Sequence, residues 1–210
     1  MNQFFNDIIN YALSIDLYEL AGLVFGLLAV WYLIKESVLT WPAGILYVLV
    51  SFVVFWEIRL YGDLLLHVIF LILNIYGWYF WIHGKKKDEK ELPITNYSSK
   101  QNFSLLLLST IGIIFFGYFL ANIHFIWSHM EPAALPYWDA TTSILSVTGI
   151  WLMIKKKIEN WYYWFAVDVL ACGIYFYKGI YFYSFLYGVY IVMAVSGYLA
   201  WKKSPNLHLR

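Results

Sequence analysis

Charged residues are scarce in this chain. Only 13% of its 210 residues are Asp, Glu, Lys or Arg, whereas 62% are hydrophobic and 22% are aromatic. A water-soluble domain of this length needs about 25% charged residues to cover its surface. The chain cannot form such a surface, so we expect a lipid bilayer to be its solvent. The formal net charge of +1 also argues against nucleic acid as a partner.

Residues that mark enzymes and metal sites are also few. The single cysteine, Cys172, excludes an internal disulfide framework and a cysteine-rich metal site. Neither an HExxH nor a GxSxG motif occurs, and the five histidines are scattered along the chain. We therefore predict a protein that is not an enzyme and that holds no metal or other cofactor.

The N-terminal segment has neither the basic residues nor the small-residue cleavage site of a signal peptide. Its apolar residues instead recur at helical spacing. They are Phe4, Phe5, Ile8, Ile9, Ala12 and Leu13. This pattern predicts a short amphipathic helix over residues 1–16 that lies in the membrane interface.

Long apolar segments dominate the rest of the sequence. A helix that crosses the bilayer needs about 17–25 mainly apolar residues. The predicted spans are Leu17–Ile34, Trp41–Trp56, Leu64–Ile82, Phe103–Trp127, Ala140–Ile154, Trp161–Tyr177 and Gly179–Trp201. A Lys-rich stretch with Asp and Glu separates the third span from the fourth, and it predicts a solvated cytoplasmic linker over residues 83–102.

The basic residues are distributed unevenly between the two ends of these spans. Of the 14 Lys and Arg residues, only Arg59 and Lys178 fall on one side, and the other twelve fall on the opposite side. Basic flanks stay in the cytoplasm during insertion. We therefore predict an outer N-terminus, a cytoplasmic C-terminus and an odd number of spans.

An ungapped internal repeat appears when the first half of the chain is shifted by 120 positions. The matching pairs are Trp31 and Trp151, Lys35 and Lys155, Trp41 and Trp161, Tyr61 and Tyr181, Gly77 and Gly197, and Trp81 and Trp201. Two three-helix copies (17–82 and 138–201) face the same way only if one extra span lies between them, and helix 103–127 provides it. The predicted fold class is an all-α membrane protein with parallel repeats in a 3+1+3 arrangement.

The two copies differ in the polar residues that they carry inside the membrane, where such residues are costly and usually functional. One face of the sixth span carries Trp161, Trp164, Asp168, Cys172 and Tyr175; the third span carries His67, Asn74 and Trp78; the seventh carries Tyr187. The counterpart of Asp168 is Val48. A conserved scaffold with divergent polar residues favours one asymmetric solute bound between the copies.

Each of these residues also has a structural interpretation. Asp168 could bond to a neighbouring helix, and Asn74 could hold two helices together. His67 could face headgroups at the outer interface, Trp161 could be an interfacial anchor, and Cys172 could serve packing. The functional interpretation combines aromatic faces, which attract flat cations, with a carboxylate and an amide. It predicts a cationic heteroaromatic solute.

Other functional classes fit the residues less well. A sugar carrier with parallel repeats should have Pro near the middle of its gating helices, whereas the predicted spans contain only Pro42, at a helix end. An intramembrane enzyme would need a nucleophile or a metal set. A receptor without transport activity remains an alternative, and it would bind its ligand without moving it.

Three motifs resemble those of the PnuC family of vitamin transporters. They are Trp161-Tyr-Tyr-Trp164 followed by Asp168, the run Tyr76-Gly77-Trp78-Tyr79-Phe80-Trp81, and the turn Tyr177-Lys178-Gly179. The resemblance covers nearly the whole chain. It implies a fold like that of the SWEET sugar carriers, a homotrimer, and a place in the bacterial inner membrane.

The resemblance also implies a function. PnuC-type proteins move nicotinamide riboside by facilitated diffusion, after which cytoplasmic phosphorylation traps it, and related members carry thiamine or riboflavin. By motif match, Trp161 and Trp164 lie beside the solute, and Asn74 takes the polar role on the third span. The family often has Gln near the place of His67, so the solute could be nicotinamide riboside or thiamine, both of which present a cationic ring.

Overall fold

The computed structural model describes residues 2–57, 61–85, 91–126 and 135–208. These residues form the helices α1 (Asn2–Ser14), α2 (Leu17–Ile34), α3 (Thr40–Glu57), α4 (Tyr61–His83), α5 (Ser99–Ala121), α6 (Ile123–Ile126), α7 (Pro136–Ile154), α8 (Asn160–Tyr177) and α9 (Tyr181–Lys202). The all-α prediction is confirmed. Arg59, Lys86, Lys87, Lys90 and Arg210, on which part of the orientation prediction depends, lie outside the described residues.

Local sequence signals set several helix ends. The Asp16 carboxylate caps α2 by accepting from the Glu19 backbone N–H at 2.8 Å. Ser98 and Gln101 form a reciprocal capping box at the start of α5. Pro136 begins α7, where its missing N–H costs nothing.

Among the residues that the structure describes, four helical segments are long and apolar enough to cross a membrane. They are Leu17–Ile34, Leu66–His83, Ser99–Ala121 and Tyr181–Lys202. At most 22% of the residues in any of these segments are buried inside the protein. Their apolar surfaces therefore face outward, as they must where lipid replaces water. Thr40–Trp56 is a shorter apolar helix, and the count of seven spans stays a prediction.

The predicted connector helix is shorter than expected. The sequence predicts a helix over 103–127, but α5 begins at Ser99 and ends at Ala121. Asn122 ends it, because its side-chain amide turns back and donates to the Tyr118 carbonyl at 2.8 Å. A single turn, α6, follows, and Trp127 lies outside the described residues.

The segment 83–102, which the sequence predicts to be a solvated linker, has a buried residue in its second half, whereas residues 98–101 are exposed. Ile94 is 0% exposed and belongs to the hydrophobic core. Parallel β-bridges join Ile94 to Leu207 in the C-terminal tail and Thr95 to Lys157 in the α7–α8 loop. The backbone groups of Ile94 and Thr95 hydrogen-bond to the tail and to the α7–α8 loop. A hydropathy pattern cannot show these partners.

Helix packing follows the same pattern in both halves. Within the first half α2 packs on α3 and α3 on α4; within the second α7 packs on α8 and α8 on α9. The halves meet through α4 against α7 and, at the equivalent place, α9 against α2. In addition, α5 packs on α7 and α1 packs on α9.

Two loops, 35–40 and 155–160, have nearly the same conformation. Glu36 and Lys156, which are 120 positions apart, both adopt a left-handed backbone, with φ of 55° and 48°. The hydrogen bond from the Ser37 N–H to the Tyr32 carbonyl, at 2.9 Å, recurs from Lys157 to Leu152 at 2.9 Å. Such agreement is what a duplicated unit would produce.

The tryptophan contacts recur at the same interval. Trp41 meets Trp81 edge to face, with centroids 5.4 Å apart, and Trp161 meets Trp201 in the same way at 5.5 Å. The Trp201 indole donates across the halves to the Leu33 carbonyl at 3.0 Å. The Trp81 indole donates to the carbonyls of Met153 and Ile154 at 3.2 and 3.1 Å. The core therefore lies at the end of the bundle where the two loops meet.

Candidate functional site

Asp168 is the acidic residue at the centre of the candidate site. It lies in the middle of α8 and is 8% exposed. Within the described parts of the chain, no side chain or backbone group hydrogen-bonds to its carboxylate. Tyr187 and Tyr190 of α9 lie within electrostatic range. The alternative interpretation was that Asp168 hydrogen-bonds to a neighbouring helix. The described residues contain no such bond.

Trp164 lies one turn from Asp168 on the same helix. Its ring packs over Gly149 of α7, where an added Cβ would be 3.3 Å from the indole. The indole Nε1 is buried and has no hydrogen-bond partner among the residues that are described. Because an indole N–H can only donate, a solute acceptor would satisfy it.

Trp161 has a packing role that the sequence did not separate from binding. It is 1% exposed and lies edge-on to Trp201 and against Gly197. Trp41, its counterpart in the first half, lies in the same way against Trp81 and Gly77. Since both halves use this arrangement, it accounts for the shared tryptophan without a ligand.

His67 is enclosed by aromatic rings. It is 6% exposed, and its imidazole lies 4.7 Å from Phe55, 5.4 Å from Phe70 and 6.1 Å from Tyr47, between centroids. The alternative that His67 faces headgroups is therefore wrong. The ring is held inside the protein by three neighbours on α3 and α4.

Tyr187 is the counterpart of His67 in the second half, 120 positions later. Its ring stacks on Tyr175 at 5.4 Å and 13°, and it meets Tyr190 at 5.9 Å. Tyr187 lies within electrostatic range of Asp168. The structure therefore brings together three of the predicted residues, Tyr175, Tyr187 and Asp168.

Asn74 belongs to α4, its side chain faces α3, and it is 6% exposed. Its Nδ2 donates to the Phe70 carbonyl at 2.8 Å, and its amide fills the space over Gly44, where an added Cβ would overlap it. This contact agrees with the alternative that Asn74 holds helices together. Trp78, in contrast, is 39% exposed and shares no ring contact with the other candidates within the described structure.

Two tyrosines near the site were missed in the sequence. Tyr47 contacts His67 and lies within electrostatic range of Tyr187 and Tyr190, so it links the two halves. The hydroxyl of Tyr190 and the ring of Tyr47 both approach Gly26 of α2. Neither tyrosine differs in sequence from the many aromatic residues at the membrane interface. The one sequence feature that could have indicated these tyrosines is Gly26, which leaves room for large side chains against α2.

Cys172 takes part in packing between α8 and α9. Its thiol donates to the Ser184 carbonyl at 3.3 Å, and the Ser184 hydroxyl donates to the Cys172 carbonyl at 3.0 Å. Both side chains are thus used by the helix pair, as the structural interpretation expected. No group of three or more possible metal ligands occurs in the described ranges.

Comparison with known proteins accounts for this arrangement. The family model described as nicotinamide mononucleotide transporter matches residues 16–203. The chain belongs to this family, that of the PnuC proteins. Nicotinamide riboside transporter PnuC of Escherichia coli is 28% identical over 205 residues, covering 90% of this chain and 86% of the relative.

Two further proteins are similar to the chain. Riboflavin/roseoflavin transporter RibM of Streptomyces davaonensis is 22% identical over 185 residues, covering 87% of this chain and 83% of the relative. A crystal structure of the vitamin B3 transporter PnuC matches with a TM-score of 0.68 and 20% identity, covering 95% of this chain and 87% of that one. The chain therefore has the PnuC fold and is a multi-pass transporter of the bacterial inner membrane.

Proposed function

We propose that this PnuC-family member imports nicotinamide riboside by facilitated diffusion, and that cytoplasmic phosphorylation traps the solute. The observation that carries the proposal is the Asp168 carboxylate, which is buried without a hydrogen bond in the described structure. It lies beside tyrosine rings and one turn from an unpartnered indole N–H. A buried carboxylate without a partner is costly, and a cationic ring would relieve that cost.

The charge of the site favours the nucleoside over the nucleotide. The helices α3, α4 and α8 contain no Lys or Arg. A phosphate group would meet a carboxylate there, with no basic residue on these helices to offset it. A pyridinium ring would instead gain cation–π contact of about 2 kcal/mol or more when desolvated.

The proposed binding residues are Trp161, Trp164, Asp168, Asn74, His67, Trp78, Tyr187 and Tyr175. We place Asp168, Trp164, Tyr187 and Tyr175 next to the cationic ring. Trp164 lies one turn from Asp168 on α8, and Tyr187, which stacks on Tyr175, lies within electrostatic range of Asp168. His67 and Asn74 would supply hydrogen bonds from the first half. Trp161 would act mainly by holding α8 against α9, since its ring is already buried.

The proposed architecture is a 3+1+3 arrangement with an outer N-terminus and a cytoplasmic C-terminus, assembled as a homotrimer. The recurrent loops, tryptophan pairs and reciprocal helix contacts support the repeat. The uneven distribution of Lys and Arg supports the orientation. The trimer rests on the family resemblance.

Alternating access would come from rocking of the two three-helix units around the site. The driving force would be the solute gradient, because Asp168 is the one acidic residue near the middle of a described membrane-spanning helix, and we assign it to the solute. Uptake into proteoliposomes tests this mechanism. Accumulation of labelled solute above the outside concentration, without a kinase, would rule out facilitated diffusion.

Thiamine is the second candidate solute, because it also carries a cationic ring. Similarity to RibM adds riboflavin, whose neutral flavin ring would gain no charge attraction from Asp168. Fluorescence titration of the purified protein with nicotinamide riboside, thiamine and riboflavin separates the three. Binding of riboflavin alone would contradict the role of the carboxylate.

Two substitutions test the site directly. We expect Trp164→Ala and Asp168→Ala each to weaken binding of the preferred ligand at least about tenfold, or roughly 1.4 kcal/mol. Trp151→Ala is the matched control, because Trp151 is 39% exposed on α7. Unchanged affinity in both site variants, measured by calorimetry, would refute the assignment.

A further inference from the structure

A second carboxylate, that of Glu19, lies away from Asp168 near the start of α2. Glu19 lies in the first turn of α2 and accepts hydrogen bonds from two tyrosine hydroxyls, Tyr11 of α1 and Tyr183 of α9. Both hydroxyls donate to the same oxygen, Oε1. We refer to Tyr11, Glu19 and Tyr183 as the Glu19 cluster. It joins three helices at the end of the bundle that the predicted orientation places outside.

The Glu19 cluster contains a negative charge without a cation. No ion pair involves Glu19 in the part of the chain that the structure describes. Lys35 lies at the opposite end of α2, and Lys178, at the turn before α9, forms no ion pair with Glu19 in the described structure. Burial and the hydrogen bond to Glu19 raise the pKa of Tyr11 to about 12, so its hydroxyl stays protonated and remains a donor at neutral pH. The cluster is therefore anionic.

The second carboxylate oxygen of Glu19, Oε2, accepts no hydrogen bond from any described residue. Glu19 is half-buried, so this oxygen is not sealed off from solvent. A half-buried carboxylate with one free oxygen and aromatic rings beside it has the chemistry that attracts a flat cation.

A continuous series of rings connects the Glu19 cluster to the central site. Tyr183 stacks on Tyr175 with centroids 5.4 Å apart, and Tyr175 stacks on Tyr187, also at 5.4 Å. Tyr187 in turn lies within electrostatic range of Asp168. At the outer end the ring of Tyr11 meets Tyr183 at 5.8 Å. Two carboxylates are thus joined by stacked tyrosines.

We propose that Glu19 is a second cation-binding site, at which a flat monocationic heteroaromatic solute docks before it moves to Asp168. The proposal rests on the proposed function and orientation and adds an outer step to them. The positively charged ring of the solute takes the place of the two tyrosine hydroxyls beside the Glu19 carboxylate. Release of those hydroxyls loosens α1 and α9 from α2 and opens the outer end.

Uptake kinetics in proteoliposomes test the outer site. In Glu19→Gln we expect the half-saturating concentration of nicotinamide riboside to rise about fivefold, the size expected for one half-exposed charge contact, while the maximal rate changes less than twofold. The neutral, reduced form of nicotinamide riboside should show no such shift. Asp16→Asn is the matched control, because it removes a charge three residues away and retains a good helix cap.

A second pair of variants predicts a change of the opposite sign. Tyr11→Phe and Tyr183→Phe retain the rings and the Glu19 charge but remove the competing donors. We expect a lower half-saturating concentration, whereas a purely structural role predicts reduced transport. This comparison holds even if Glu19→Gln fails to fold.

The outcomes separate this proposal from the proposed function. Normal kinetics in Glu19→Gln, or an equal shift in Asp16→Asn, overturns the outer site and leaves the central site intact. Impaired transport in both Phe variants also overturns it. Absence of uptake of nicotinamide riboside and thiamine by the wild-type protein overturns both proposals.

Discussion

Glu36 and Lys156 form an ion pair, with Lys156 Nζ 2.9 Å from Glu36 Oε2. The two residues are 120 positions apart, so each is the counterpart of the other. Equivalent residues of two related halves can touch only close to the axis that relates them. Identical charges would repel at that place, and the opposite charges found there attract.

The pair is also enclosed by the segment before α5 and by the C-terminal tail. The Lys156 side chain is 2% exposed, and its ammonium lies 5.0 Å from the centroid of the Trp81 ring. Thr95 of the linker donates its backbone N–H to the Lys156 carbonyl at 3.0 Å. Asn206 of the tail donates to Glu36 at 3.5 Å. The linker and the tail thus cover the contact between the two halves.

The first prediction concerns the ion pair. Glu36→Gln should destabilise the protein by about 3 kcal/mol, because a buried lysine loses its counter-charge. The exchanged double variant Glu36→Lys with Lys156→Glu should recover at least half of that loss, since the positions are equivalent. Unfolding in detergent, followed by tryptophan fluorescence, measures both. A double variant no more stable than Glu36→Gln would mean that the two sites are not interchangeable.

The second prediction concerns the glycines beneath the paired tryptophans. A Cβ at Gly197 would overlap the Trp161 ring, and a Cβ at Gly77 would overlap Trp41. Each Gly→Ala variant should lose about 1–3 kcal/mol through overpacking. Gly188→Ala, on the same helix as Gly197 but with nothing within 4 Å, is the control. Its stability should be unchanged or slightly higher, because Ala favours a helix.

These glycine variants also separate packing from binding. If Trp161 contacts the solute as well as Trp201, Gly197→Ala should lower ligand affinity more than Gly77→Ala does. Calorimetry on both proteins, at a temperature where both are folded, makes the comparison. Equal affinities would assign Trp161 to packing alone.

The third prediction concerns Asn74 and Gly44. A Cβ at Gly44 would overlap the Asn74 amide, so Gly44→Ala should displace that side chain. We expect Gly44→Ala and Asn74→Ala each to weaken ligand binding by about 1 kcal/mol, the size of one hydrogen bond. The double variant should be no weaker than Asn74→Ala, because both changes act on one group. Additive losses, by fluorescence titration, would count against an Asn74 contact with the ligand.

Much of the local structure followed from the sequence. Uninterrupted apolar runs predicted α2 over Leu17–Ile34, the bounds that the structure has. Caps such as Asp16 and Ser98 act through neighbours in the chain, so they too could be read from sequence. The i, i+4 spacing placed Trp164 and Asp168 on one face of α8, because a helix fixes which side chains lie together.

Other features depended on which helices meet. The burial of Ile94 depends on a bridge to Leu207, more than a hundred positions away, and no local pattern specifies it. Tyr47 became part of the site because α2 offers Gly26 opposite it.

The sequence by itself therefore determined the solvent, the helices and the repeat interval, since these follow from composition and from contacts within a few residues. Only the tertiary structure decided that Glu36 meets Lys156, that Glu19 meets Tyr183 and that Asp168 has no partner among the described residues. Those contacts join residues far apart in the chain, and their energies depend on the distances and burial that packing alone sets.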